Sequence, residues 1–303
     1  MSDVAGRSCP LRYRYGAEAI ARSPVREAET LYVVGGLYGN LPALAAIETL
    51  AADEAGPVTL CFNGDFNWFN VDDAGFAAIN ARVQAQHAIL GNVEAELGVA
   101  GSMAGCGCAY PDHVDAAIVE RSNRIHARLK ATAWRHPAVV EQLAALPMFA
   151  RYQIGDCRIG IVHGDADSLA GWRFDRVALD DPENRPWLSD TFRRAAVDVF
   201  ASTHTCLPAL RQFAGPRAAG VVINNGAAGM PNFNGRRSGV VTRIGTVASP
   251  HPILYGTVVG ATHVDALEVP YDAEAWERAF LTNWPAGSDA YQSYFRRIDG
   301  CLA

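Results

Sequence analysis

The stretch LYVVGGLYGNLPAL, residues 31–44, decides the fold. Its first four residues are apolar and predict a buried strand, which a glycine pair then ends. Asn40 follows in a position to cap a helix that carries Pro42 in its first turn. A strand, a glycine turn and a helix N-terminus often form an active-site loop. Here that loop is short of functional groups, because Gly36 has no side chain and Tyr38 offers only a phenol.

The composition indicates a globular α/β protein. The chain has 303 residues, half of them apolar, and a formal net charge of -6. Its acidic and basic residues are mixed, so we expect neither nucleic acid nor a membrane as a partner. We find no spanning apolar run and no signal-peptide core, which predicts a cytoplasmic protein. Seven cysteines in such a chain favour free thiols.

Apolar runs alternate with helix-like segments in the first half of the chain, and the second half is richer in strands. We expect a loosely packed leader over 1–28 and one main domain over 29–271. A helical insertion spans about 98–147 and begins with a glycine-rich loop. The tail, 272–303, is expected to be helical and to pack on the core. Oligomeric state stays open, and a homo-oligomer is compatible with the sequence.

Polar side chains follow five of the predicted strands, usually beside a glycine. In α/β sheets ligands gather beyond the carboxyl ends of the strands, so these side chains are expected to converge. Asp, Asn and His together suit a divalent metal such as Mn, Fe or Zn. The five strand-end sequences are Asn63-Gly64-Asp65, Gly91-Asn92-Val93-Glu94, His163-Gly164-Asp165, Thr203-His204 and Asn225-Gly226.

In sequence order these motifs resemble those of the calcineurin-like metallophosphoesterases, especially their small bacterial branch. The resemblance covers about residues 29–272, and it implies a four-layer αββα sandwich of two mixed β-sheets flanked by helices. It rests on the motifs GGLYGNLPAL, NGD, GNVEAEL, IVHGD and ASTHTCLP, followed by INNGAAGMP and ALEVPYD.

The first motif departs from the family pattern. Gly36 stands where the family has a metal-binding Asp, and Tyr38 stands where it has a His. Ser202 replaces the first His of the fifth motif. The resemblance implies that one of the two metal positions keeps only Asp65 and His204. The first motif is therefore degenerate.

The other metal position keeps three of its ligands, Asp65, Asn92 and His163. The leading hypothesis is therefore a metal-dependent phosphoester hydrolase, a phosphomonoesterase or phosphodiesterase, with one metal per chain. His204 would be a fourth ligand or would steady the leaving group. Glu94 is a candidate general base. The alternative is a solvated glutamate at the start of a helix.

Three further residues are candidates for binding a small phosphorylated substrate or anion. Tyr38 can donate to a phosphate oxygen, and the turn ending at Asn40 can present backbone N–H groups. Trp172 and Arg173 belong either to a substrate lid or to a surface loop. Cys106 and Cys108 are either inert thiols or additional ligands that would favour Zn or Fe.

Two other functions stay open at this point. The first is a catalytically inactive homologue, without a metal, that binds a small anion, a nucleotide or a protein partner in the same cleft. The second is a dinucleotide-binding oxidoreductase, but the glycine spacing is not G-x-G-x-x-G.

Overall fold

The computed structural model describes residues 4–214 and 219–301. The outer ends of the predicted leader and tail, residues 1–3 and 302–303, lie outside that range. The described strands are β1 Val25–Glu27, β2 Thr30–Val34, β3 Val58–Asn63, β4 His87–Ile89, β5 Phe149–Ile154, β6 Cys157–Val162, β7 Val199–Ser202, β8 Ala209–Ala214, β9 Ala219–Asn224, β10 Gly239–Gly245, β11 Ile253–Val259 and β12 Thr262–Val269. The described α-helices are α1 Ala17–Arg22, α2 Leu41–Ala52, α3 Asp73–Gln84, α4 Asn92–Leu97, α5 Ala116–Ala133, α6 Pro137–Ala144, α7 Arg176–Asp180, α8 Arg185–Ala195, α9 Ala273–Asn283 and α10 Asp289–Ile298.

The strands form two mixed sheets of six strands each. One has the order β11-β12-β10-β2-β3-β4, and the other has the order β1-β5-β6-β7-β9-β8. Strands β2, β3 and β4 run parallel, as do β6, β7 and β9, so the carboxyl ends of each group meet at one edge. The expected pair of mixed sheets is confirmed.

Strand β2 shows why the sheets are layered between helices. Leu31 and Val33 pack into the cluster between the two sheets, whereas Tyr32 and Val34 pack against α2 and α3. Successive side chains of a strand point to opposite faces, so an apolar run is buried on both sides. Burying Leu31, Val33 and Val34 contributes roughly 1.5–3 kcal/mol each.

Helix α2 begins where the sequence predicts. Asn40 Oδ1 accepts from the backbone N–H of Ala43 at 2.9 Å, and Pro42 lies in the first turn. Helices α2, α3 and α9 cover the outer face of the first sheet, and α1 and α8 cover that of the second. The protein is thus a four-layer sandwich.

The expectation of a loosely packed leader is wrong for the residues described there. Tyr13 and Ile20 are buried, and β1 pairs in parallel with β5. Helix α1 packs on α8 and has only six residues, too few for an apolar period to show in the sequence. Strand β8 was also missed. No described helix is long and apolar enough to cross a bilayer.

Candidate metal centre

Asp65, Asn92, His163 and His204 meet at the carboxyl ends of the two sheets. Asp65 and His163 follow β3 and β6, His204 follows β7, and Asn92 begins α4 just after β4. One ligand atom from each of Asp65, His163 and His204 lies within 4.8 Å of the other two. All four side chains are buried. The convergence expected from the strand ends is therefore present.

Backbone carbonyls orient both imidazole rings. His163 Nδ1 lies 2.7 Å from the carbonyl of Asn63, and His204 Nε2 lies 3.1 Å from that of Cys108. A carbonyl oxygen only accepts, so both ring nitrogens must be the donors. In the neutral rings the other two nitrogens, His163 Nε2 and His204 Nδ1, carry lone pairs, and they lie 3.2 Å apart. Two facing lone pairs repel each other unless a cation or a proton lies between them.

The oxygen ligands complete the same arrangement. Asn92 Nδ2 donates to the carbonyl of Cys106 at 2.9 Å, which leaves Asn92 Oδ1 3.1 Å from His163 Nε2. Asp65 Oδ2 lies 3.4 Å from the same nitrogen. Two nitrogens and two oxygens thus face one small space, and each histidine is oriented by an outer carbonyl, as is usual for metal ligands. The donor set fits a divalent metal.

The electrostatics of the three titratable ligands are strongly coupled. Burial alone would raise the pKa of Asp65, but the adjacent His163 outweighs it and the pKa is lowered. Burial alone would lower the pKa of His163, but the adjacent Asp65 carboxylate outweighs it and the pKa is raised. Burial and the neighbouring His163 lower the pKa of His204 to about 3. His204 is therefore a neutral lone-pair donor.

Glycines make this close approach of backbone and side chains sterically feasible. Gly64 has φ +75, and a Cβ there would lie 2.4 Å from Gly91 Cα and 2.8 Å from His163 Nδ1. A Cβ on Gly91 would lie 2.2 Å from Asp65 Oδ1. The Asn-Gly-Asp and Gly-Asn sequences therefore serve the packing of the site as well as the turn.

The ring of Tyr38 occupies the space above Gly36. A Cβ on Gly36 would meet ring atoms of Tyr38 at 2.9 Å, and Gly36 has φ +64. The Tyr38 hydroxyl lies 2.6 Å from Cys206 Sγ. In the fifth motif, Ser202 Oγ is buried and has no hydrogen-bond partner among the described residues. The positions that depart from the family pattern thus contribute no further ligand to the described cluster.

The remaining predicted site residues lie outside the converging set. Asn40 is buried, and its Nδ2 donates to the carbonyl of Gly229 at 2.9 Å. Arg173 is exposed and lies over the ring of Trp187, 4.7 Å from its centroid. Neither lines the cleft that leads to Asp65, which Tyr38 does. Asn40 caps helix α2. A polar residue just before a helix fits both a helix cap and a ligand-binding residue, so the local pattern alone does not separate the two roles.

Glu94 lies beneath the Asp65 loop. Its carboxylate accepts from the backbone N–H of Asp65 at 2.8 Å and from that of Asn67 at 3.1 Å. Burial and the nearby Asp65 raise the pKa of Glu94 to about 7. These contacts make it a support for the loop, and it is not among the residues lining the cleft.

Cys106 and Cys108 are buried free thiols. Neither belongs to the candidate metal cluster found among the described residues. Burial raises the pKa of Cys108, which disfavours a thiolate there. The loop contributes through its carbonyls, which hold Asn92 and His204.

Sequence reasoning missed most of the walls of the cleft, which encloses about 160 Å³. The sequence suggests Trp172, as part of a lid, but gives no signal for the other rings. They come from separate segments of the chain with no shared motif. The aromatic residues lining the cleft besides Tyr38 are Trp68, Tyr110, Trp172 and Tyr294.

Comparison with solved structures gives the fold a name. A metallophosphoesterase from Sphaerobacter thermophilus matches over 90% of this chain and 100% of its own, with 16% identity and a TM-score of 0.55. The chain has the metallophosphoesterase fold. A hypothetical protein from Pyrococcus horikoshii is similar over 86% of this chain and 96% of its own, with 18% identity and a TM-score of 0.55. No family model and no curated protein matches.

Proposed function

We propose that the protein is a metal-dependent phosphoester hydrolase with one divalent metal per chain, held by Asp65, Asn92, His163 and His204. One observation carries the proposal. Four acceptor atoms face a single buried space, and each of the two imidazole rings and the Asn92 amide is oriented by an outer carbonyl. The metallophosphoesterase fold supports the same reading.

A divalent metal at this position would supply Lewis acidity and a counter-charge for a phosphate ester. The protein groups have separate tasks. His163 Nε2 and His204 Nδ1 would present their lone pairs to the metal, and the carbonyls of Asn63 and Cys108 keep the two rings from turning. Glu94 holds the backbone of Asp65, so it is a positioning residue. The phosphate enters through the cleft lined by Tyr38, Asp65 and His204.

Metal analysis and a simple assay test this proposal on untagged protein. We expect about one Mn, Fe or Zn per chain, and hydrolysis of bis(p-nitrophenyl) phosphate or p-nitrophenyl phosphate. The variant His163→Ala should lose the metal and lower kcat/KM by about tenfold or more. His113→Ala, which removes an exposed histidine outside the cluster, is the matched control. No metal and no hydrolysis with added Mn would refute the proposal.

The packing of Tyr38 over Gly36 favours a second candidate. The ring fills the space that a ligand side chain at position 36 would occupy, which suits a homologue that binds a small anion or nucleotide without turnover. This candidate predicts saturable binding of inorganic phosphate without hydrolysis of either ester. Turnover that depends on His163 would exclude it.

A further inference from the structure

Four aromatic side chains surround the entrance to the candidate metal centre. Trp68 is buried, and Tyr110, Trp172 and Tyr294 are partly buried. Together with Asp65 they line the cleft of about 160 Å³. The faces of aromatic rings carry partial negative charge and do not attract a phosphate, so this lining points to the organic part of a ligand.

Hydrogen bonds and ring contacts hold these four side chains. Trp172 Nε1 donates to the carbonyl of Cys108 at 3.0 Å. The Tyr110 hydroxyl lies 3.0 Å from Ser122 Oγ, and the Trp68 and Tyr294 rings meet edge to face with their centroids 6.4 Å apart. These contacts fix the rings in place. What the rings still offer to a ligand is chiefly their π surface.

The rings stand at steep angles to one another. The planes of Trp68 and Tyr294 meet at 84°, and those of Tyr110 and Trp172 at 45°. A planar base stacks best between parallel faces, whereas a rounded cation is attracted to several faces at once. The arrangement is therefore a box that suits a rounded group.

No charged side chain of the described cleft lining lies outside the candidate metal centre. Among the described residues that line the cleft, Asp65 is the only Asp, Glu, Lys or Arg. The guanidinium of Arg297 donates to the carbonyls of Pro231 and Cys206, at 2.6 and 3.0 Å, and does not line the cleft. A substrate with two negative charges would find no basic side chain in the lining.

We propose that the substrate is a zwitterionic phosphodiester whose quaternary ammonium group, of the choline type, binds among Trp68, Tyr110, Trp172 and Tyr294. This inference rests on the proposed hydrolase function and names its substrate class. Hydrolysis breaks one ester P–O bond, a water oxygen forms the new bond to phosphorus, and one water proton ends on the leaving oxygen. No electron transfer is required. The phosphate faces the metal centre while the ammonium group is held by the rings.

The test compares two chromogenic esters that differ in one atom. They are p-nitrophenylphosphorylcholine and the 3,3-dimethylbutyl ester of p-nitrophenyl phosphate, in which carbon replaces the charged nitrogen. We expect kcat/KM to be about tenfold or more higher for the choline ester. Tyr294→Leu should reduce that ratio at least threefold, and Tyr294→Phe, which keeps the ring, should preserve it. A ratio of one or less, or a preference for thymidine 5′-p-nitrophenyl phosphate, would overturn the proposal.

Direct binding separates this inference from the hydrolase proposal. Tetramethylammonium chloride is titrated into chelator-treated protein, with tryptophan fluorescence as the readout and sodium chloride as the control. Saturable quenching that Tyr294→Leu weakens supports the aromatic site even if no ester is hydrolysed, in which case only the hydrolase function fails. Equal hydrolysis of both esters without quenching would leave the hydrolase intact and refute the aromatic site.

Discussion

Replacing Gly91 by alanine tests the geometry of the metal centre with a single methyl group. Gly91 precedes α4 with φ -100, a conformation that alanine adopts without strain. Its Cβ would lie 2.2 Å from Asp65 Oδ1 and 2.4 Å from Asp65 N. Interiors are close-packed, so Asp65 or the start of α4 has to move by about 1 Å.

This shift of Asp65 or α4 is expected to lower both stability and catalysis. Overpacking of this kind destabilises a protein by about 1–3 kcal/mol, and each kcal/mol lowers the melting temperature by roughly 2 °C in a domain of this size. A misplacement of about 1 Å in a reacting centre also lowers kcat/KM by about 10²-fold. We therefore expect Gly91→Ala to melt about 2–6 °C lower and to lose most of its hydrolysis.

Gly98→Ala is the matched control at the other end of the same helix. Gly98 has φ -88, and its Cβ would meet only a methyl group of Val140, at 3.0 Å. We expect its stability to stay within about 1 kcal/mol of the wild type. Melting curves are recorded with a chelator present, so that the steric effect is measured without metal. If Gly91→Ala then melts like the wild type, the described approach of Gly91 to Asp65 is wrong.

Four further predictions concern other parts of the molecule. Arg243→Met breaks the buried ion pair with Glu54 and should lower the free energy of unfolding by about 3–5 kcal/mol, measured by denaturant titration. Adding Glu54→Gln should recover part of that stability. Burial alone would raise the pKa of Glu54, but Arg243 outweighs it and lowers the pKa below its ordinary value of 4.5. The stability gained from that shift is therefore complete above pH 4.5 and should decline as pH falls through the lowered pKa. Gly36→Asp should destabilise the protein because its Cβ meets the ring of Tyr38. The double variant Gly36→Asp with Tyr38→His should be more stable than the single variant and should bind a second metal. An unchanged number of metal ions per chain would contradict the metal prediction. Cys301 is exposed, so a thiol reagent should give a fast phase that Cys301→Ser removes.

The residues of the candidate metal centre could largely be predicted from local sequence. Asp65, Asn92, His163 and His204 each follow an apolar run, and the carboxyl ends of parallel strands meet at one edge of a sheet. The same reasoning does not distinguish two roles for Asn40, because a polar residue before a helix fits both a helix cap and a ligand. Nor does it fix the position of Arg173, whose place over Trp187 depends on how two loops pack.

The sequence by itself determined the alternation of strands and helices, the glycine turns and the four candidate ligand side chains. These features have a local physical cause, since side-chain period, capping and backbone freedom act within a few residues. Only the tertiary structure decided that Tyr38 turns back over Gly36 and that four rings from separate segments surround the cleft. The four rings come from segments far apart in the chain, and the Tyr38 hydroxyl is held by Cys206, 168 residues further on, so no local pattern encodes either arrangement.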